Sequence, residues 1–348
     1  MKKNIAIVGY GGQGAWHATH AQKSDVVSLA GIYDIAEKRM CAAVENGIHT
    51  YSSLDDILAD ESVDIVLCAT PNDVHKDIVV KSLLAGKNVI CEKPVALSVS
   101  EFDEMVDAAK QSGKVLSVHQ NRRWDVDFLA IKSIIASGEI GETINVESRI
   151  HGSRGIPSDW RCHKPYGGGM MLDWGVHLID QMLQLIPEKI EKIYCELTNI
   201  TTDEVDDGFN LHITFESGKR ATVEVGTYNF IAMPRFYMQC KDGSALIEDW
   251  QKKCRVARLK AWCEKDVLPV QTAAGITKTM APRDEITIDS YEIERPHSDV
   301  HDFYRNYVRA IDGTEEQLIK NEEVRRVLLV MEAAFKSGES GEAIKCNI

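Results

Sequence analysis

The chain has 348 residues, 44% of them hydrophobic, with a formal net charge of −13 and a pI of about 5.4. That length suits two domains with substantial cores. The acidity excludes a broad basic face for nucleic acid, and no apolar run approaches the roughly 18 residues of a membrane-spanning helix. Met1-Lys2-Lys3 resembles the start of a signal peptide, but the apolar run Ile5–Val8 is too short for its hydrophobic region. The nine cysteines are odd in number and none are spaced Cys-x-x-Cys, while Cys68, Cys91 and Cys240 sit inside apolar runs. A soluble, cytoplasmic protein without a disulfide framework is expected.

In chain order, Asn4–Val8 reads as a strand and runs directly into Gly9-Tyr10-Gly11-Gly12-Gln13-Gly14, with a helix from about Ala15. This is the strand–GxGxxG–helix fingerprint of a dinucleotide site. Gly9 serves the tight turn, Gly11 the close approach of a pyrophosphate, and Gly14 the packing of helix on strand. The helix N-terminus directs its amides at the phosphates. A second strand, Val26–Tyr33, ends at Asp34, at the spacing where an acid accepts hydrogen bonds from ribose hydroxyls. NAD is favoured over NADP, although Lys38 and Arg39 follow closely. The alternative is that Asp34 caps a helix starting at Ile35.

Strands are next expected at 63–69, 88–91 and 114–119. Thr70-Pro71-Asn72-Asp73-Val74-His75 opens a helix that Asn72 or Asp73 can cap, and a further helix spans Ser100–Gln111. The 88–91 strand delivers Glu92-Lys93-Pro94 to the carboxyl edge of the sheet, where open α/β sheets bind ligands and a lysine can reach one. Asn121 and Arg122 follow the next strand end and face the nicotinamide side. This alternation predicts a doubly wound parallel sheet over residues 1–122, a Rossmann domain. From residue 123 the texture changes. One helix, Phe128–Ser137, precedes β runs at Ile144–Ile150, Ile190–Ile200, Phe209–Phe215 and Arg220–Phe230, a hairpin turn at Lys241-Asp242-Gly243, and a C-terminal amphipathic helix over Asn321–Ser337. An α+β domain with a large, mostly antiparallel open-faced sheet is expected over 123–348, with the last helix free to pack back on the first domain.

Within it, Gly167-Gly168-Gly169 leads into a helical pattern that places Asp173 and His177 four apart, on one helix face. Cys162 and His163 lack a tight ligand pattern, so no metal site is assigned. Trp160 offers an indole face for a sugar or cyclitol ring, or packing at the domain interface. Arg161 suits hydroxyls or a carboxylate.

Taken together, the motifs Gly9–Gly14, Thr70-Pro71-Asn72 with His75, Glu92-Lys93-Pro94, Asn121-Arg122-Arg123, and Gly167–Gly169 with Asp173 and His177 make the chain resemble the glucose–fructose oxidoreductase / inositol 2-dehydrogenase (Gfo/Idh/MocA) family, nearly end to end. The resemblance implies an active site of Lys93, Asp173 and His177. It adds Tyr10, Gly12, Gln13, Thr70, Pro71, Asn72, His75, Glu92, Lys93 and Asn121 to the NAD site; Arg122, Trp160 and Arg161 join the substrate site on their position and side-chain chemistry. It also implies a C-terminal sheet that carries the substrate and a homo-oligomer interface.

The chemistry expected is oxidation of a secondary alcohol of a sugar, cyclitol or glycoside. His177 is the natural general base, and Lys93 stabilises alkoxide charge. Asp173 either orients His177 or binds a hydroxyl. Two alternatives stand beside it: a glycosidase using NAD transiently for elimination, and an NAD(H)-binding sensor or scaffold without catalysis.

Overall fold

Five parallel strands form the first sheet of the computed structural model, which describes residues 2–260 and 267–348. The elements run β1 (Lys3–Val8), α1 (Gly12–Lys23), β2 (Val27–Tyr33), α2 (Glu37–Glu45), α3 (Leu54–Ala59), β3 (Ile65–Cys68), α4 (His75–Leu84), β4 (Asn88–Cys91), α5 (Val99–Ser112) and β5 (Leu116–Val118). Strand order is β2-β1-β3-β4-β5. The order therefore reverses between β1 and β3, and their carboxyl ends flank the crevice where such sheets bind ligands. The inner strands are continuous buried runs, as Ile65–Cys68 and Asn88–Cys91 show, because helices cover both faces. Local signals set the ends of α5: the Ser98 hydroxyl caps its start by accepting from Glu101 N–H, and Gly113 closes it at φ 66°.

The second half contains α6 (Val126–Ser137), β6 (Thr143–His151), α7 (Val176–Leu185), β7 (Ile190–Thr198), β8 (Gly208–Phe215), β9 (Arg220–Gly226), β10 (Phe236–Cys240), β11 (Gly243–Ile247), β12 (Cys254–Leu259), β13 (Val270–Thr272), β14 (Gly275–Thr277), β15 (Ile288–Ile293), α8 (His301–Ile311), α9 (Asn321–Ser340) and β16 (Ile344–Lys345). Nine of these strands form one sheet, ordered β15-β12-β11-β10-β6-β9-β8-β7-β16. Every neighbouring pair is antiparallel except β6 and β9, which run parallel. The remaining pair, β13 and β14, makes a separate hairpin.

Helix α7 is buried at nearly every position and packs between α6, α9 and the large sheet, so it carries residues from that sheet toward the first one. The C-terminal segment crosses back, as the length of its amphipathic stripe allows. Helix α9 packs on α5 and β5, Tyr307 on α8 donates to the Val115 carbonyl at 2.9 Å, and Arg123 joins Asp180 and Glu323 at 2.6 and 2.7 Å.

Several boundaries move from their expected places. Helix α1 begins at Gly12, and Asn72–Val74 forms a short 3₁₀ turn before α4. Neither Asn72 nor Asp73 caps that helix; Asn72 instead donates to the Gly167 carbonyl at 2.8 Å. Strand β9 stops at Gly226 because the chain turns there: Gly152 N–H donates to Gly226 O, and Asn229 N–H donates to Gly152 O. The open face of the large sheet carries polar side chains. It presents Asn145, Glu147, Arg149 and Glu224, cross-linked by ion pairs of Arg149 with Glu147 and Glu224. Among the described residues no helix is long and apolar enough to cross a membrane.

Candidate active site

Gly9 and Gly14 show why the first loop must be built from glycine. Gly9 has φ +93°, and a Cβ there would lie 2.6 Å from the Ala69 carbonyl oxygen; a Cβ on Gly14 would lie 1.9 Å from Gly9 O. The turn can therefore close only when both side chains are absent. Gly11, the N-cap of α1, supplies no side-chain hydrogen bond to the first turn. Its amides are left for an anion.

The cleft above this loop measures about 650 Å³. Gly11, Gly12, Gln13, Arg39, Thr70, Pro71, Asn72, Glu92, Lys93, Asn121, Arg122, Asp159, Trp160, Arg161, Asp173, Trp174 and His177 line it. Of the residues expected from sequence, Gly9, Tyr10, Gly14, Asp34 and His75 form the layer behind that lining. Buried Asp34 accepts from Tyr10 N–H at 2.7 Å, from Ala36 N–H at 2.8 Å and from Arg39 Nη1 at 3.1 Å. It thus holds the chain leading into α2 and pins an arginine beside Gly11. His75 lies behind the cleft lining rather than in it. Fully buried, it faces the Pro94 and Thr70 carbonyls with one ring nitrogen each, both at 3.0 Å, and so ties the two loops together.

Lys93 reaches across the cleft to the second half of the chain. Its Nζ donates to Asp173 Oδ1 and to the Asp173 backbone carbonyl, each at 2.9 Å. Arg161 Nε donates to Asp173 Oδ2 at 3.2 Å, and Arg161 Nη1 pairs with Asp159 at 2.9 Å. Burial pushes the Asp173 carboxyl up, but the Lys93 and Arg161 charges outweigh it and hold it below its usual value. Residues Met171–Gly175 form a π-helical turn that feeds α7. The wider turn alters the spacing expected of a regular helix. Asp173 accordingly grips Lys93 and Arg161, with no bond recorded to His177.

His177 is 4% exposed, and its Nδ1 has no partner. Burial first, then the Lys93 and Arg122 charges, hold its pKa well below the ordinary histidine value. The ring is therefore neutral at neutral pH. Asn121 Oδ1 and Arg122 Nε are likewise buried without partners. The three residues line the cleft, while these particular atoms are enclosed by protein.

Beneath Lys93, Glu92 Oε1 accepts from His17 Nε2 at 2.7 Å and from His119 Nδ1 at 2.8 Å, while Oε2 accepts from Lys93 N–H at 3.1 Å. Tyr304 closes the network on His17 Nδ1 at 2.5 Å. Burial lowers the His17 pKa to about 4. Sequence reading missed these partners because they lie on α1, after β5 and on α8. It also missed Trp174 and Trp250. The Arg122 guanidinium lies 4.2 and 5.2 Å from their ring centres, and that of Arg235 lies 5.0 Å from Trp250. Trp174 could have been suspected from its place beside Asp173; nothing local flags Trp250. Cys162 and His163 turn to Asp159 O and Glu204, respectively.

Residues 3–120 match the model of an oxidoreductase family with an NAD-binding Rossmann fold, and residues 128–246 match the GFO/IDH/MocA C-terminal domain. The solved structure of an NAD-binding protein from Listeria innocua superimposes with a TM-score of 0.96 at 42% identity, covering 99% of each chain. The scyllo-inositol 2-dehydrogenase (NADP(+)) IolW of Bacillus subtilis is 26% identical over 98% of this chain and 95% of its own length. The myo-inositol 2-dehydrogenase of Thermotoga maritima is 27% identical over 58% of this chain and 60% of its own. With both domains matched and the cleft at the sheet's switch point, this chain belongs to the Gfo/Idh/MocA family of oxidoreductases with an NAD-binding Rossmann fold.

Proposed function

We propose that the protein transfers a hydride between a secondary hydroxyl carbon of a sugar, cyclitol or glycoside and NAD. The observation that carries this reading is the meeting of Lys93, fixed by Asp173, with a buried His177 in one cleft beside the glycine loop. Gly11, Gly12 and Gln13 would hold the pyrophosphate, Asp34 the ribose side, and Asn121 the nicotinamide side. The bound nicotinamide supplies the hydride acceptor or donor.

The protein's part is then proton transfer and charge. His177, neutral and lining the cleft, takes the hydroxyl proton in oxidation and returns it in reduction. Lys93 has two of its three protons committed to Asp173 and offers the third to the reacting oxygen. Asp173 holds Lys93 in place across the cleft. Arg161 and Arg122 present guanidinium edges to further hydroxyls, with Trp160 and Trp174 available to the ring face. Asp34 favours NAD over NADP by repelling a 2′-phosphate, an effect Arg39 partly offsets.

The test is reduced-nicotinamide absorbance with NAD or NADP and a panel of aldoses, inositols, sugar acids and glycosides, with Lys93→Met as control. Steady NADH production on one class, absent in the variant, supports the reading. Equal rates in wild type and Lys93→Met would overturn the catalytic assignment, and NAD-dependent release of aglycone without net NADH would replace it with transient redox.

A further inference from the structure

Two cysteines lie directly under the cleft without a part in the chemistry above. Cys68 ends β3, Cys91 ends β4, and they are partners in the parallel ladder. Both are fully buried, and their Sγ atoms lie within 4.8 Å of each other and of a His75 ring nitrogen. Paired residues on neighbouring strands have Cα atoms ~4.8 Å apart, with side chains on one face. This separation falls in the ~4.4–6.8 Å range of disulfides. The next residues along each strand, Ala69-Thr70 and Glu92-Lys93, line the cleft. Both His75 nitrogens already face backbone carbonyls, so the trio lacks a free imidazole for a metal.

We propose that Cys68 and Cys91 form an oxidisable dithiol that reacts with a small hydroperoxide, Cys68 attacking and Cys91 resolving. The order follows from their surroundings. Burial pushes both thiols up, but at Cys68 the neighbouring Cys91 thiol, the His75 ring and the Thr70 hydroxyl, 3.4 Å away, outweigh it and bring the thiol down; Cys91 stays well above its ordinary value. The Cys68 thiolate attacks one peroxide oxygen, the O–O bond breaks, and the departing hydroxide takes a proton to leave as water. Cys91 sulfur then attacks the Cys68 sulfenic acid, the S–O bond breaks, and a second water leaves with the Cys91 proton. Two thiols and one hydroperoxide become one disulfide and two waters when the peroxide is hydrogen peroxide. Closing the sulfurs to a bond of ~2.05 Å turns both side chains and breaks the Cys68–Thr70 contact. The loops bearing Thr70 and Lys93 move with them, and cofactor affinity falls.

The experiment treats the cofactor-free full chain with hydrogen peroxide, caps remaining thiols with N-ethylmaleimide, maps peptides by mass, and titrates NADH by fluorescence. A linked Cys68–Cys91 peptide two hydrogens lighter, loss of NADH affinity, and recovery of both with dithiothreitol are expected. Cys91→Ser should leave a dimedone-trappable sulfenic acid on Cys68, and Cys68→Ser should give neither product. Alanine at each position provides second variants, each checked for NADH binding before treatment. Oxidation confined to exposed Cys41 and half-buried Cys162, or NADH affinity lost equally in Cys68→Ser and Cys68→Ala, would overturn the proposal.

Discussion

Lys93 Nζ lies 2.9 Å from both the Asp173 carboxylate and the Asp173 carbonyl oxygen, joining residues 80 apart in sequence across the two sheets. With side-chain exposures of 18% and 15%, the pair is shielded but still reached from the cleft. The carboxylate and the carbonyl together fix the position and direction of the lysine.

Asp173→Asn keeps the carbonyl contact and the side-chain volume while removing the charge. Turnover should fall by about 10²–10⁴-fold, the range of positioned proton-transfer and charge-stabilising groups. NADH affinity, measured by fluorescence titration, should hold. A parallel loss of NADH binding would mean that Asp173 shapes the cofactor site instead.

The lowered pKa of His177 carries a pH signature. A base is active when neutral, so oxidation should persist below the ordinary histidine value of about 6.5 and fail only in more acidic buffer. Arg122→Gln removes one of the charges that disfavour protonation, and the acid limb of kcat/KM should move to higher pH. An unmoved limb in Arg122→Gln would assign that limb to another group.

Cofactor choice should respond in opposite directions to the two partners at the end of β2. Asp34→Ala should lower the NAD-to-NADP ratio of kcat/KM, and Arg39→Ala should raise it. Each change is expected at roughly tenfold or more, the size of a charge-assisted hydrogen bond of about 1.5–3 kcal/mol. Initial rates with both cofactors measure the ratio directly.

Asp206 should leave its mark on stability. It accepts from Met171 N–H at 2.7 Å, fixing the start of the π-helical turn, and burial raises its pKa to about 7 despite that bond. An acid raised in the folded state keeps its proton there after the unfolded chain has lost it. Its contribution to stability therefore falls as pH rises from near 3.8 to about 7, then levels. Asp206→Asn removes this dependence. Urea unfolding across that range should show the variant gaining on the wild type toward pH 7, and a constant difference would sink the assignment.

Much of the cofactor half could be read along the chain. Gly9, Gly14 and Asp34 act within one strand–turn–helix–strand unit, where short-range sterics and spacing decide the backbone. Glu92-Lys93-Pro94 was equally visible as a strand end. The alternation of Leu211, Ile213 and Phe215 with His212 and Thr214 likewise marked a half-buried strand of the large sheet. Hydrophobic periodicity encodes such elements because each residue reports on its own exposure.

What only the folded chain decided are the pairings between elements. Periodicity cannot show that a π-helical turn sends Asp173 to Lys93 rather than to His177, that His75 spans two loops, or that Glu92 receives His17 and His119. Nor does it show Arg122 between Trp174 and Trp250, or a polar outer face on the large sheet. These depend on register, turn geometry and close approach between segments distant in sequence. Their energies come from burial and paired charge, which exist only once both sheets and α7 are in place.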